Sequence, residues 1–137
     1  MQRHELEAFT TWRTPEGIIR TEAKPGVDIE LRHAVENSLV VNELCRGRLR
    51  PLLINLRHLQ SISSEARAYF AARDRSSFVN AFGFLVHSRF QKMVGNIFIQ
   101  FNRPRVPVRL FNDEQEAISW LSQFLPEEQG RSLPGRN

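Results

Sequence analysis

Cysteine is almost absent from this chain of 137 residues, which has Cys45 alone. A single thiol excludes a disulfide framework and a cysteine-based zinc site. Long apolar runs are also missing, since none approaches the roughly 20 residues that cross a bilayer, and the polar start MQRHELEAF does not resemble a secretory signal. With 41% hydrophobic and 25% charged residues, the composition is globular. We therefore expect a cytoplasmic protein without membrane insertion.

Catalytic and cofactor motifs are missing as well. The four histidines form no HxH, HxxxH or HExxH pattern; they are His4, His33, His58 and His87. Neither GxGxxG nor a Walker-type GxxxxGK[ST] occurs, so a dinucleotide site and a phosphate-binding loop of those kinds have no support. We find no set of nucleophile, base and orienting group. The sequence thus predicts a protein that is not an enzyme, with no metal and no cofactor.

Positive charge is concentrated in the middle of the chain. Residues 46–109 hold twelve basic and two acidic residues, whereas the segments on either side are net negative. Such a segment could present an anion-binding surface. The candidate residues for this patch are Arg46, Arg48, Arg50, Arg89, Arg103 and Arg105. Because the arginines stand singly between apolar residues, solvated faces are the simpler interpretation, and nucleic acid is a disfavoured partner.

Hydrophobic periodicity predicts an alternation of strands and helices. Two short strands at residues 9–13 and 18–21 flank a turn with Pro15 and Gly17, which is typical of a hairpin. Helical spacing over residues 27–44 ends at Arg46-Gly47. Three further strands are expected at residues 51–56, 79–86 and 106–111, the last at an edge because of its prolines. Three further helices are expected to start near Ser63, Ser88 and Asp113.

The resulting order, ββαβαβαβα, predicts an α/β domain. We expect a mixed, mostly parallel five-stranded sheet with an N-terminal hairpin and about four helices. The domain should span residues 1–125, and residues 126–137 should form a disordered tail because they contain few apolar residues.

Residues 54–66, INLRHLQSISSEA, together with this order resemble the STAS domain, the SpoIIAA-like fold of bacterial anti-sigma-factor antagonists. In that family a strand with the pattern LDLSxVxxIDSSG leads into a helix whose N-terminal serine is phosphorylated. Aligned without a gap, Asn55 and Ser63 occupy the two aspartate positions, and Ser64 occupies the first serine position. Glu65 replaces the phosphorylated second serine, so this position is permanently charged. The resemblance implies a regulatory loop at these four residues, whereas plain helix capping is the alternative.

A second stretch is similar to small, stand-alone bacterial STAS-like proteins that carry no known activity. The matching positions are Ser88, Gly95, Asn96, Phe98, Asn102, Pro104, Pro107 and Phe111. The likeness covers roughly residues 15–125. STAS-like domains generally bind a protein, in some members a small nucleotide, or a second copy of themselves.

Gly95-Asn96 within the third predicted helix is unusual, since glycine inside a helix costs about 1 kcal/mol relative to alanine. One explanation is the close approach of a second helix at a dimer interface; another is a ligand against the helix, with Asn96 and Asn102 as amide donors. This helix is apolar nearly all round, which favours self-association. The interface or ligand residues would be Ser88, Gly95, Asn96, Phe98 and Asn102.

We therefore expect a non-catalytic STAS-like regulatory or protein-interaction module, homodimeric and of unknown pathway. The alternative is a binder of an anionic or apolar small ligand, such as a nucleotide, nucleic acid or lipid, at the arginine-rich middle or at the third helix. Salt separates the two mechanisms, because phosphate-driven binding weakens steeply with ionic strength and an apolar interface does not.

Overall fold

A mixed sheet covered by helices on both faces forms the centre of the protein, as seen in a computed structural model that describes residues 2–71, 77–102 and 106–127. The strands are β1 (Arg3–Glu5), β2 (Phe9–Arg13), β3 (Ile19–Ala23), β4 (Asp28–Ile29), β5 (Arg50–Asn55), β6 (Ser61–Ile62), β7 (Val79–Leu85) and β8 (Val108–Phe111). The helices are α1 (Leu31–Cys45), α2 (Ser64–Ala71), α3 (Arg89–Asn102) and α4 (Glu114–Ser122).

The main sheet has six strands in the order β1-β2-β3-β5-β7-β8. The pairs β1–β2 and β2–β3 are antiparallel, and β3–β5, β5–β7 and β7–β8 are parallel. The predicted α/β class, hairpin, edge position of the last strand and four helices are confirmed. The expected count of five strands is wrong because β1, with the sequence Arg3-His4-Glu5, also pairs. An edge strand with charged side chains shows no apolar alternation in sequence, so periodicity could not detect it.

A second, two-stranded sheet joins β4 to β6 in parallel. Helix α1 therefore begins at Leu31, later than the predicted start at residue 27, because Asp28 and Ile29 belong to β4. Its predicted end is confirmed: Arg46 and Gly47 take left-handed φ values of 55° and 74° and close the helix.

Two apolar cores lie on opposite faces of the sheet. On one face, α1, α2 and α3 pack on residues such as Leu52. On the other, Ala117 and Leu121 of α4 pack on residues such as Leu53. The burial of β5 on both faces explains its nearly continuous apolar sequence. The tail predicted for residues 126–137 lies outside the described residues from residue 128 onward.

Candidate functional site

The predicted regulatory residues lie at the end of the sheet where the parallel strands finish, here called the carboxyl edge. Asn55, Leu85 and Phe111 end β5, β7 and β8, and the strand register pairs them across the sheet. Open α/β sheets bind their ligands outside the carboxyl ends of the strands. The loops that begin here are therefore placed where a site in such a sheet is expected.

The loop between β5 and α2 is held in place by hydrogen bonds of short polar side chains. Asn55 Oδ1 accepts the backbone N–H of Arg57 at 2.9 Å. Asp28 Oδ1 accepts from Ser61 Oγ at 2.5 Å and from Gln60 Nε2 at 3.1 Å. These two donors, Ser61 foremost, hold the pKa of Asp28 below its ordinary value. Asn55 is 7% exposed, so it shapes the loop from inside instead of meeting a partner.

The serines at the start of α2 have different surroundings. Ser63 Oγ accepts the N–H of Ala66 at 3.0 Å, and its own N–H donates to the carbonyl of Ile29 at 2.9 Å. Ser63 is therefore the helix cap. Ser64 and Glu65, in the first turn of α2, are exposed. Of the four predicted loop residues, these two are the ones whose side chains can meet another molecule.

Gln91 joins two loops of the carboxyl edge, a role that the sequence analysis missed. Its Oε1 accepts the N–H of His87 at 2.6 Å, and its Nε2 donates to the carbonyl of Arg57 at 3.1 Å. Ser88 Oγ accepts the N–H of Gln91 at 3.1 Å, which confirms the predicted cap of α3. The sequence did carry a signal for this role. Gln91 is a polar residue three positions before the buried Val94, and this spacing places it on the inward face of the helix.

Helix α3 presents apolar side chains to solvent near its start. Phe90 is 38% exposed and Met93 is 48% exposed, and the neighbouring Asn96 is exposed as well. The side chains of Phe98 and Asn102 lie outside the described part of the structure.

A contact within the chain explains why a glycine stands at position 95, and it differs from both explanations given in the sequence analysis. A Cβ atom at this position would lie 2.6 Å from Cδ2 of Leu110 on β8. The glycine thus lets α3 pack closely on the last strand of its own sheet. Neither a second helix nor a ligand is needed to explain it.

Arg50 is a structural residue in spite of its charge. Its side chain is 5% exposed, with Nε donating to the carbonyl of Cys45 at 2.9 Å and Nη1 to that of Gly17 at 3.3 Å. It therefore ties the end of α1 to the hairpin turn. Its burial and its bonds to backbone carbonyls commit this guanidinium to holding the fold together.

The other described arginines of the predicted patch are separated by the sheet. Arg46 and Arg48 precede β5, at the end where the parallel strands begin, and Arg89 follows β7 at the carboxyl edge. A strand of this length spans roughly 20 Å, so these residues do not form one surface. Arg103 and Arg105 lie outside the described residues.

A cavity of about 50 Å³ lies between the sheet and the helices α1, α2 and α3 that cover one of its faces. Its wall includes Leu52 and Phe82 from the sheet, and Val41, Phe70 and Val94 from α1, α2 and α3. Sites for drug-sized ligands usually measure about 300–1,000 Å³. The cavity is too small to hold a lipid chain in this conformation.

Within the described ranges, no group of three or more histidine, cysteine or acidic residues is arranged to hold a metal ion. In the same part of the chain, every helix is too short or too polar to cross a membrane.

Comparison with known proteins supplies a family but no activity. The family described as "Domain of unknown function (DUF7793)" matches residues 11–125. The chain belongs to this family. None of the curated proteins matches it. The crystal structure of an uncharacterised protein of the DUF3478 family from Shewanella loihica, with a SpoIIAA-like fold, is similar in structure with a TM-score of 0.60 and 14% sequence identity. The match covers 83% of this chain and 92% of the other, so the DUF7793 chain has a SpoIIAA-like fold.

Proposed function

We propose that this protein is a non-catalytic interaction module that recognises a partner protein at the carboxyl edge and associates with a second copy through α3. The observation that carries the proposal is the pairing of two exposed surfaces at this edge. Helix α2 presents Ser64 and Glu65, and α3 presents Phe90 and Met93. The two helices contact each other, and the hydrogen bond from Gln91 ties the start of α3 to the loop before α2.

Self-association is supported by the character of the exposed face of α3. Phe90 and Met93 are large apolar side chains in contact with water, and the exposed polar residue Asn96 borders them. An apolar centre with a polar rim is typical of protein interfaces. A two-fold axis beside the helix would cover the same patch on both copies.

The start of α2 is suited to regulation by charge. Glu65 places a permanent negative charge in the first helical turn, where it interacts favourably with the helix dipole. Ser64 is exposed beside it, so a phosphate on its hydroxyl would add further charge at the same helix terminus. Ser63 is unsuited to modification because its Oγ caps the helix.

The test of self-association is the molar mass by light scattering, at low and high salt, for the wild-type chain and two variants. Met93→Glu places a charge in the apolar patch of α3. Leu39→Glu is the matched control, because Leu39 is 67% exposed on α1 and lies outside the proposed interface. We expect a salt-independent dimer for the wild type and the control, and a monomer for Met93→Glu.

A wild-type chain that remains a monomer at high concentration would overturn the dimer, as would a dimer that Met93→Glu leaves intact. For the regulatory surface, mass spectrometry of the chain isolated from its own cells should find phosphate on Ser64 and not on Ser63. Modification of Ser63 in the folded protein would contradict the roles proposed for these two hydroxyls.

A further inference from the structure

A crevice at the carboxyl edge lies between the loops that follow β7 and β8. It measures about 670 Å³, within the size range of small-molecule sites. Ser88, Arg89 and Lys92 line it from the α3 side, and Arg109, Asn112 and Glu116 from the β8–α4 side. It is separate from the start of α2 and does not include the exposed Phe90 or Met93.

The crevice lies where two neighbouring strands lead into helices on opposite faces of the sheet. After β7 the chain enters α3, which packs on the same face as α1 and α2. After the neighbouring strand β8 it enters α4, which packs on the opposite face. Two adjacent strands whose following helices lie on opposite faces leave a gap between their loops, and this gap lies outside the carboxyl ends of the strands, where open α/β sheets bind ligands.

The side chains at this gap carry an excess of positive charge. Arg89, Lys92 and Arg109 are exposed, and none of them forms an ion pair within the described residues. Arg109 is positioned by aromatic rings, with its guanidinium 5.0 Å from the centre of the Phe111 ring and 5.5 Å from that of Trp120. Its approach to the rings leaves its donors available for an anion.

The carboxylates nearest in sequence are largely committed elsewhere. Asp113 caps α4, since its Oδ2 accepts the N–H of Glu116 at 2.9 Å. Glu114 pairs with Arg20 at 2.9 Å. Among the crevice residues named above, Glu116 is thus the one carboxylate, whereas three residues are cations.

We propose that this crevice binds the phosphate group of a soluble small molecule of about nucleotide size. Arg89 and Lys92 approach the phosphate from the α3 side and Arg109 from the strand side, with the Asn112 amide as a further donor. Charge-assisted hydrogen bonds to phosphate favour arginine, whose planar fork can donate two parallel bonds. The proposal does not depend on dimerisation or on the partner surface.

The test is calorimetric titration of the full chain with ATP, inorganic phosphate and adenosine. The variant is Arg89→Gln/Lys92→Gln, and the control is Arg46→Gln/Arg48→Gln, which removes the same charge at the opposite end of the sheet. We expect ATP binding that weakens with salt, no comparable adenosine binding, and at least a roughly tenfold loss of affinity in the crevice variant alone.

Equal affinity for adenosine and ATP would overturn the phosphate site, as would equal losses in the variant and the control. A lack of binding by both ATP and inorganic phosphate would also overturn it. The molar mass of the crevice variant keeps this proposal separate from the proposed function: a dimer that no longer binds ATP supports the crevice, and a monomeric wild type that still binds ATP overturns only the dimer.

Discussion

The contact between Gly95 and β8 predicts a strong energetic coupling between two positions of this chain. In Gly95→Ala, the new Cβ would lie 2.6 Å from Cδ2 of Leu110. Carbon atoms pack at about 3.5–4.0 Å, so the overlap is roughly 1 Å. The helix or the leucine must move. Removing the leucine side chain in Leu110→Ala should abolish the conflict.

The expected magnitudes follow from two opposing terms. Overpacking typically costs about 1–3 kcal/mol, and alanine in place of glycine within a helix gains about 1 kcal/mol. Because the clashing atom is the end of a half-buried side chain, we place the overpacking cost near the lower limit. Gly95→Ala should then change the free energy of unfolding little in the wild type, and should stabilise Leu110→Ala by about 1 kcal/mol. The coupling should be at least about 1 kcal/mol.

Urea unfolding of the wild type, both single variants and the double variant measures this coupling. Each transition is recorded at two protein concentrations. Additivity to within about 0.5 kcal/mol would refute the packing argument. A Gly95→Ala effect on stability that depends on protein concentration would instead place Gly95 between copies of the chain, since dissociation then accompanies unfolding.

Three further predictions concern polar contacts. Asn37→Ala should lower the free energy of unfolding by about 1–3 kcal/mol, because the Asn37 side chain hydrogen-bonds to the buried Thr11 of β2 and Thr21 of β3. Ser38→Ala, at the neighbouring position, should lower it less. Arg50→Met should cost about 2 kcal/mol, and the exposed Arg48→Met under about 0.5 kcal/mol, in the same urea assay. Asp28→Asn should be destabilising at neutral pH, and its difference from wild type should vanish as the pH falls through the lowered pKa of Asp28, as followed by urea midpoints against pH.

The sign of the pH effect follows from the direction of the shift. A carboxyl whose pKa is lower in the folded state stabilises that state above its ordinary pKa, and the benefit is lost on acidification. A difference between Asp28→Asn and wild type that persists in strong acid would contradict the hydrogen-bond account of the shift. Equal losses of unfolding free energy in Asn37→Ala and Ser38→Ala would contradict the prediction for Asn37. Equal losses in Arg50→Met and Arg48→Met would contradict the prediction for Arg50.

The candidate site was predictable in part. Ser63, Ser64 and Glu65 were identifiable because a hydroxyl and a carboxylate before an apolar helical pattern mark a helix start. Sequence could not divide their roles, because the hydrogen bond that Ser63 Oγ accepts from Ala66 and the exposure of Ser64 are visible only in the folded structure. The described arginines of the predicted patch are divided for a related reason. Proximity in sequence placed Arg50 with Arg48, whereas Arg50 is buried.

The sequence by itself determined the α/β class, the order of the main elements, the hairpin and the end of α1, because apolar periodicity and turn residues act over short distances. Tertiary structure alone decided the pairing of β1, the β4–β6 sheet, the partner of Gly95 and the crevice between β7 and β8. Apart from β1, whose charged sequence shows no apolar alternation, each of these depends on residues far apart in the chain. Their side chains meet only once the sheet has aligned its strands, and no local pattern encodes that meeting.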